Sequence, residues 1–128
     1  MSYYFSKIIN ATFDEAMAKV TVELKKEGFG ILTEIDVRET LKKKLDVNFQ
    51  RYKILGACNP PFAYEALQAE NKIGVLLPCN VIVQELPDGN VEVAAIDPVQ
   101  SMQAVGNPTL KIVAEQIQGK LRNVINTM

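Results

Sequence analysis

The run Leu86-Pro87-Asp88-Gly89-Asn90-Val91, set between two stretches rich in β-branched residues, constrains the fold more than any other feature of the chain. Asp-Gly between apolar runs is a strong hairpin signal, because both residues tolerate the backbone angles of a tight primed turn. The flanking strands fall at about 79–86 and 91–97. A hairpin joins antiparallel neighbours, so a doubly wound parallel sheet with regular strand–helix alternation is disfavoured. If Asp88 and Gly89 are the two loop residues, Ile82 faces Ala95 and Val83 faces Ala94. Both faces of the pair then carry apolar side chains, so neither face is expected to be fully wet.

The remaining elements follow from periodicity and punctuation. Residues 2–9 read as a strand. Thr12-Phe13-Asp14-Glu15 fits a capping box, and Phe13, Met17, Val20 and Leu24 follow at helical spacing. Gly28 suits a helix stop, since glycine accepts the left-handed geometry past a helix end. A second strand covers 29–35. Asp36 with Glu39 opens another helix, whose narrow apolar stripe is Val37, Leu41 and Leu45. A third strand covers roughly 49–57, with Tyr52, Ile54, Gly56 and Cys58 on one face. A short helix runs from Pro60 to near Asn71. Asn107-Pro108 starts the last helix, with Leu110, Val113, Ala114, Ile117, Leu121, Val124 and Ile125 as its buried stripe. The order is strand, helix, four strands interrupted by two short helices, and a long helix. It predicts an α+β fold in a single domain over 1–128, with a largely antiparallel sheet and helices packed on one face. A chain of 128 residues buries about two-thirds of its unfolded surface, enough for a core without staples.

Absences narrow the chemistry. The chain has no histidine, which removes Ser-His-Asp and Cys-His catalysis and His-based metal sites. Two cysteines per chain fall short of the four ligands of a structural metal site, so no metal and no cofactor are expected. The net charge is -1, which creates no field to gather nucleic acid or anionic membrane. Lys42-Lys43-Lys44 fan over roughly 200° of a helix, with Asp36, Glu39 and Asp46 nearby, and read as a solvated face. Gly28-Phe29-Gly30 lies where a helix feeds a strand, the reverse of a phosphate loop. No run of eighteen apolar residues occurs, and the first residues do not read as a signal peptide. A cytoplasmic protein with two reduced thiols is the expectation.

The candidate chemistry sits in Ile54–Leu67. There an apolar strand turns through Gly56-Ala57-Cys58-Asn59-Pro60-Pro61 into a helix. A thiol at a helix start can be activated by the dipole and free amides. Pro60 and Pro61 lack N–H groups, however, and Asn59 as the cap would occupy the Phe62 amide. With Tyr52 and Ile54 on the same strand face, Cys58 reads first as a small buried apolar residue. Cys79 is its only possible redox partner. Cys58, Asn59, Tyr64 and Glu65 could converge on a small-ligand site near the helix start.

Gly56-Ala57-Cys58-Asn59-Pro60, Ala63, Ala66-Leu67, Leu77-Pro78-Cys79-Asn80-Val81, Asp97-Pro98 and Asn107-Pro108 form an ordered set spanning nearly the whole chain. This set resembles the domain of unknown function 302 family. The resemblance implies a fold like that of the TATA-binding-protein class, in the order strand, helix, four strands, helix, often as a homodimer. It implies no settled activity, and likeness of fold to a DNA-binding protein carries no functional weight.

Two functions are therefore carried forward. The preferred one is a non-catalytic homodimeric module that binds a small ligand or protein partner near Gly56–Leu67. The alternative is a thiol-dependent redox or sulfur-handling protein using Cys58 with Cys79.

Overall fold

A computed structural model describes residues 2–128. Five strands, β1 (Tyr4–Ile9), β2 (Gly30–Asp36), β3 (Tyr52–Cys58), β4 (Cys79–Glu85) and β5 (Val91–Ile96), form one sheet in the order β1-β5-β4-β3-β2. Every neighbouring pair is antiparallel. The helices are α1 (Phe13–Lys26), α2 (Val37–Leu45), α3 (Pro60–Ala69), α4 (Pro98–Ser101) and α5 (Pro108–Asn126). This is the expected α+β order, with the short helix α4 and two 3-10 turns, Ile73–Leu76 and Gln103–Val105, added. Asp97-Pro98 ends β5 and also starts the short helix α4.

Local signals explain the two long helices. The Thr12 hydroxyl accepts from the Glu15 N–H (3.1 Å), and Glu15 accepts in return from the Thr12 N–H (2.9 Å). Both exposed amides at the start of α1 are thereby satisfied. Beyond its C-terminus Gly28 takes φ +88°, the left-handed geometry of a helix stop. Phe13, Ala16, Val20 and Leu24 are buried. On α5 all seven expected stripe residues are buried. Both helices contact each other and the same side of the sheet. That side presents Leu55, Ala57, Val81, Val83, Val91, Val93 and Ala95, all buried. Each fully buried Val or Leu contributes about 1.5–3 kcal/mol, so this layer dominates the stability.

Helix α2 behaves differently. Its Asp36 cap accepts from the Glu39 N–H, but none of its residues is buried, and Leu45 is 66% exposed. Lys43 pairs with Glu39 and Lys42 with Asp46, each at 2.7 Å on the surface. The lysine run is thus a solvated, locally neutralised face, whose ion pairs are screened by water and add little to stability.

The hairpin register differs from expectation by one residue. Val81 faces Ala95, Ile82 faces Ala94, and Val83 faces Val93. The Leu86 N–H donates to the Asn90 carbonyl (2.8 Å), and the Gly89 N–H donates to the Leu86 carbonyl (3.0 Å). The loop therefore holds three residues, Pro87, Asp88 and Gly89, and only Gly89 has positive φ (87°). Pro87 is the reason. Its fixed φ suits the first turn position, and without an N–H it cannot extend the ladder. A slip of one residue reverses every face. The observed register sends Val81, Val83, Val91, Val93 and Ala95 together toward the helices. The opposite face carries Ile54, Ile82 and Ala94 beside Tyr4 and Tyr52, and α1 and α5 leave it uncovered. A depression of about 390 Å³ lies there, lined by Tyr3, Tyr4, Tyr52, Ile82 and Glu92 among others.

Candidate functional site

The site lies where β3 ends and β4 begins. Their register sets Ala57 against Cys79 and Gly56 against Asn80. Gly56 also faces Thr33 of β2. The Pro78 ring and the Thr33 hydroxyl together fill the space that a side chain on Gly56 would need. The Leu77–Pro78 peptide bond is cis. From Cys58 the chain passes through Asn59 into α3, with Pro60 and Pro61 in its first turn.

Three Asx-Pro pairs begin helices, and two of them behave alike. Asp97 caps α4 by accepting from the Val99 N–H (3.0 Å). Asn107 caps α5 by accepting from the Thr109 and Leu110 N–H groups (3.0 and 3.2 Å). Each also ties in a distant element. Gln118 Nε2 of α5 donates to both Asp97 oxygens (3.0 and 3.1 Å), and Asn107 Nδ2 donates to the Ala69 carbonyl at the end of α3 (2.9 Å). Asn59 is the exception. It sits at the N-cap position but makes no capping bond through its side chain. The expected bond to Phe62 is absent. Asn59 Nδ2 instead donates to the Glu27 carbonyl at the end of α1 (3.0 Å). Gly28 lies directly against this amide, since a Cβ there would be 3.2 Å from Nδ2. Asn59 thus pins the β3–α3 turn to the end of α1, and it is 7% exposed.

These constraints leave a pocket of about 240 Å³. Its walls are Phe29, Leu32, Ala57, Ala63, Ala66, Leu77, Pro78 and Ile117, and Cys58, Asn59 and Cys79 supply the other lining groups. No charged side chain lines it. Cys58 is half-buried, Cys79 is buried, and no disulfide joins them. Burial pushes the Cys79 thiol up to about 11, and the neighbouring Cys58 adds to the rise. Cys79 is therefore a neutral thiol at neutral pH, poorly suited to nucleophilic attack. Because Cys79 pairs with Ala57, Cys58 is only its diagonal neighbour, and successive Cβ atoms leave a strand on opposite sides.

Cys58, Asn59 and Cys79 thus meet at one pocket, while Tyr64 and Glu65 do not. Both belong to the exposed side of α3 and lie outside the lining, with Tyr64 65% exposed. Phe29 comes from the connection before β2, Leu32 from β2 and Ile117 from α5, and nothing local in the sequence marks them as pocket residues. A second depression of about 550 Å³ lies where α4 meets the start of α5, with Met102, Asn107 and Lys111 in its lining. Among the described residues there is no cluster of three or more Cys, Asp or Glu that could hold a metal ion. No helix among them is long and apolar enough to cross a membrane.

Sheet order, helix layer and the Gly-Ala-Cys-Asn-Pro turn define an α+β domain with a thiol-lined pocket at the β3–α3 junction. The chain belongs to the family described as "Domain of unknown function DUF302", whose sequence profile matches residues 5–128. It is similar to the crystal structure of an uncharacterized conserved DUF302 protein from Bacillus stearothermophilus, with a TM-score of 0.91 and 26% sequence identity. That match covers 98% of this chain and 98% of the other. No curated protein matches the chain.

Proposed function

We propose that this protein is a non-catalytic, cytoplasmic, homodimeric module that binds a small ligand or protein partner at the Cys58–Cys79 pocket. The observation that carries the reading is the pocket's lining: an apolar wall, two thiols and one buried amide, with no histidine and no ionised group to run acid–base chemistry. Mostly apolar concavities with a few placed polar groups are the usual form of a ligand site. The homodimer rests on the apolar sheet face that α1 and α5 leave uncovered, where Ile54, Ile82 and Ala94 lie together. Binding is tested by NMR titration with a small-molecule library. Shifts centred on the Ala63 and Ala66 methyls support the pocket. Shifts centred on Met102 and Lys111 instead would move the site to the α4–α5 depression. The dimer is tested by sedimentation, where a monomer at micromolar concentration removes that part of the proposal.

A second reading has its own observation. Both cysteines line one pocket, as a thiol pair with Cys58 attacking and Cys79 resolving would need. The raised Cys79 titration weighs against it. Thiol exchange left unchanged by Cys58→Ala would end this reading.

A further inference from the structure

The uncovered face of the sheet carries a second arrangement, away from the cysteine pocket. Strand pairing sets Tyr52 opposite Gln84, and Gln84 opposite Glu92, in one row across β3, β4 and β5. Ile82 and Ala94 form the next row, and Ile96 with Tyr4 of β1 stands beyond it. Residues two apart on a strand share a face, so these side chains all project to the same side. Ala94 is small and lies in the middle of this face, yet it is only 8% exposed. Its larger neighbours therefore lean over it. The result is a trough of about 390 Å³ with Ile82 and Ala94 along its floor. Tyr3 and Tyr4 stand at one end, their rings 5.0 Å apart and inclined at 71°, which makes an aromatic corner. Tyr52 and Glu92 stand at the other. The Tyr52 hydroxyl titrates above its ordinary value, first through burial and then through the nearby Tyr3 phenol and Glu92 carboxylate, so the two ends reach toward each other.

Glu92 is the one ionised side chain in this lining, and it is half-buried. Gln84 Nε2 donates to Glu92 Oε1 (2.8 Å), and Gln50 Nε2 donates to Gln84 Oε1 (2.8 Å). These neutral amides fix the carboxylate in place without neutralising it. Glu34, by contrast, has Lys53 at 3.1 Å. Among the described residues no lysine or arginine pairs with Glu92. A half-buried carboxylate without a counter-charge favours a cation, and aromatic faces attract one as well. A small hard metal ion would need several oxygen ligands, and no cluster of three acidic side chains exists among the described residues. An alkylated ammonium needs only one carboxylate and an aromatic wall.

We infer that this trough binds an alkylated ammonium group, its charge toward Glu92 and its methyl groups against Tyr3, Tyr4 and Tyr52. The inference does not rest on the cysteine pocket and adds a site on the other side of the sheet. A free small cation and a methylated lysine of a polypeptide present the same chemistry.

The test is an NMR titration of the full chain with choline and with neohexyl alcohol, in which carbon replaces the charged nitrogen. Choline is expected to shift the Ile82 and Ala94 methyls and to bind about tenfold more tightly than the alcohol. Glu92→Gln keeps an acceptor for Gln84 but removes the charge, and is expected to weaken choline about tenfold. Tyr52→Phe keeps the ring and should retain binding, whereas Tyr52→Leu should lose most of it. A short peptide carrying trimethyllysine separates the two sources: tighter binding than choline assigns the site to a polypeptide, and weaker binding to a free cation. Alcohol that binds as tightly as choline, or Glu92→Gln without effect, would overturn the cation. Ile82 and Ala94 methyls unmoved by both choline and the peptide would overturn the site. The dimer proposed above would use this same face, so sedimentation runs alongside. A monomer that binds choline supports the site and removes that dimer, while a dimer on which choline has no effect does the reverse.

Discussion

Pro78 occupies the space where a side chain on Gly56 would have to stand: a Cβ there would lie 2.7 Å from Pro78 Cγ and still closer to Thr33 Oγ1. The first residue of the Gly-Ala-Cys-Asn-Pro turn is thus required by packing rather than by chemistry. Gly56→Ala is expected to destabilise the protein by about 3 kcal/mol, since neither a neighbouring strand nor a proline ring yields readily. Adding Thr33→Ala removes one clash and should recover part of the loss. Urea unfolding of the three proteins measures both effects. A loss below about 0.5 kcal/mol for Gly56→Ala would show that the β4 entry shifts freely.

Asn59 is expected to matter for stability through its nitrogen. Asn59→Ala leaves the Glu27 carbonyl without its partner, which costs about 1–3 kcal/mol in a mostly buried position. Faster hydrogen exchange should accompany it at the end of α1, around Gly28 and Phe29, with little change at the start of α3. Fraying confined to α3 would instead mean that Asn59 acts as an ordinary cap.

Cys79 sets a limit on alkaline stability. Its thiol titrates near 11 in the fold, against about 8.5 in an unfolded chain. Between those values the unfolded chain loses its proton first, so it binds fewer protons and gains population. Stability is therefore full below about pH 8.5 and falls as pH rises toward 11, by at most about 3 kcal/mol from this group. Comparing unfolding of the wild type and Cys79→Ala at pH 7, 9 and 10.5 isolates the effect from other titrating groups. Equal slopes in the two proteins would contradict it. At pH 7, alkylation of the native protein should label Cys58 and leave Cys79 untouched until denaturation.

Asp97 and Gln118 should be energetically coupled. Asp97→Ala removes a cap and strands the Gln118 amide, so it is expected to cost about 2–3 kcal/mol. Gln118→Ala alone should cost about 1 kcal/mol. A double-mutant cycle is expected to return about 1 kcal/mol of interaction energy, and additive losses would argue against direct pairing.

Much of this architecture is legible in the sequence because its signals are local. The Thr12–Glu15 box, the Gly28 stop and the α5 stripe each lie within a few turns of chain, and each holds. The Asp88-Gly89 hairpin is legible in kind but not in register, because Pro87 recruits a third residue to the loop. The stripe of α2 is legible too, yet it packs only loosely on β2 and β3: Val37 and Leu41 are half-buried and Leu45 is exposed. The site is harder to read. Cys58 and Asn59 are singled out by their neighbours, but the partner of Asn59 is the Glu27 carbonyl, in an element distant in sequence. Spacing on α3 brings Tyr64 and Glu65 close in sequence to the cysteine turn, whereas helix geometry turns both to solvent. Phe29, Leu32 and Ile117 reach the pocket only because the sheet and α5 have already assembled.

The sheet order also bears on how the chain assembles as it is made. Strands β2 to β5 follow one another in sequence and pair successively, each requiring only a local closure. Strand β1 pairs with β5, matching Phe5 to Ala95, and that contact must wait until nearly the whole domain has emerged from the ribosome. The earliest of the five strands to be synthesised is thus the last to be seated, and until then the β5 edge stands open to pairing with another chain.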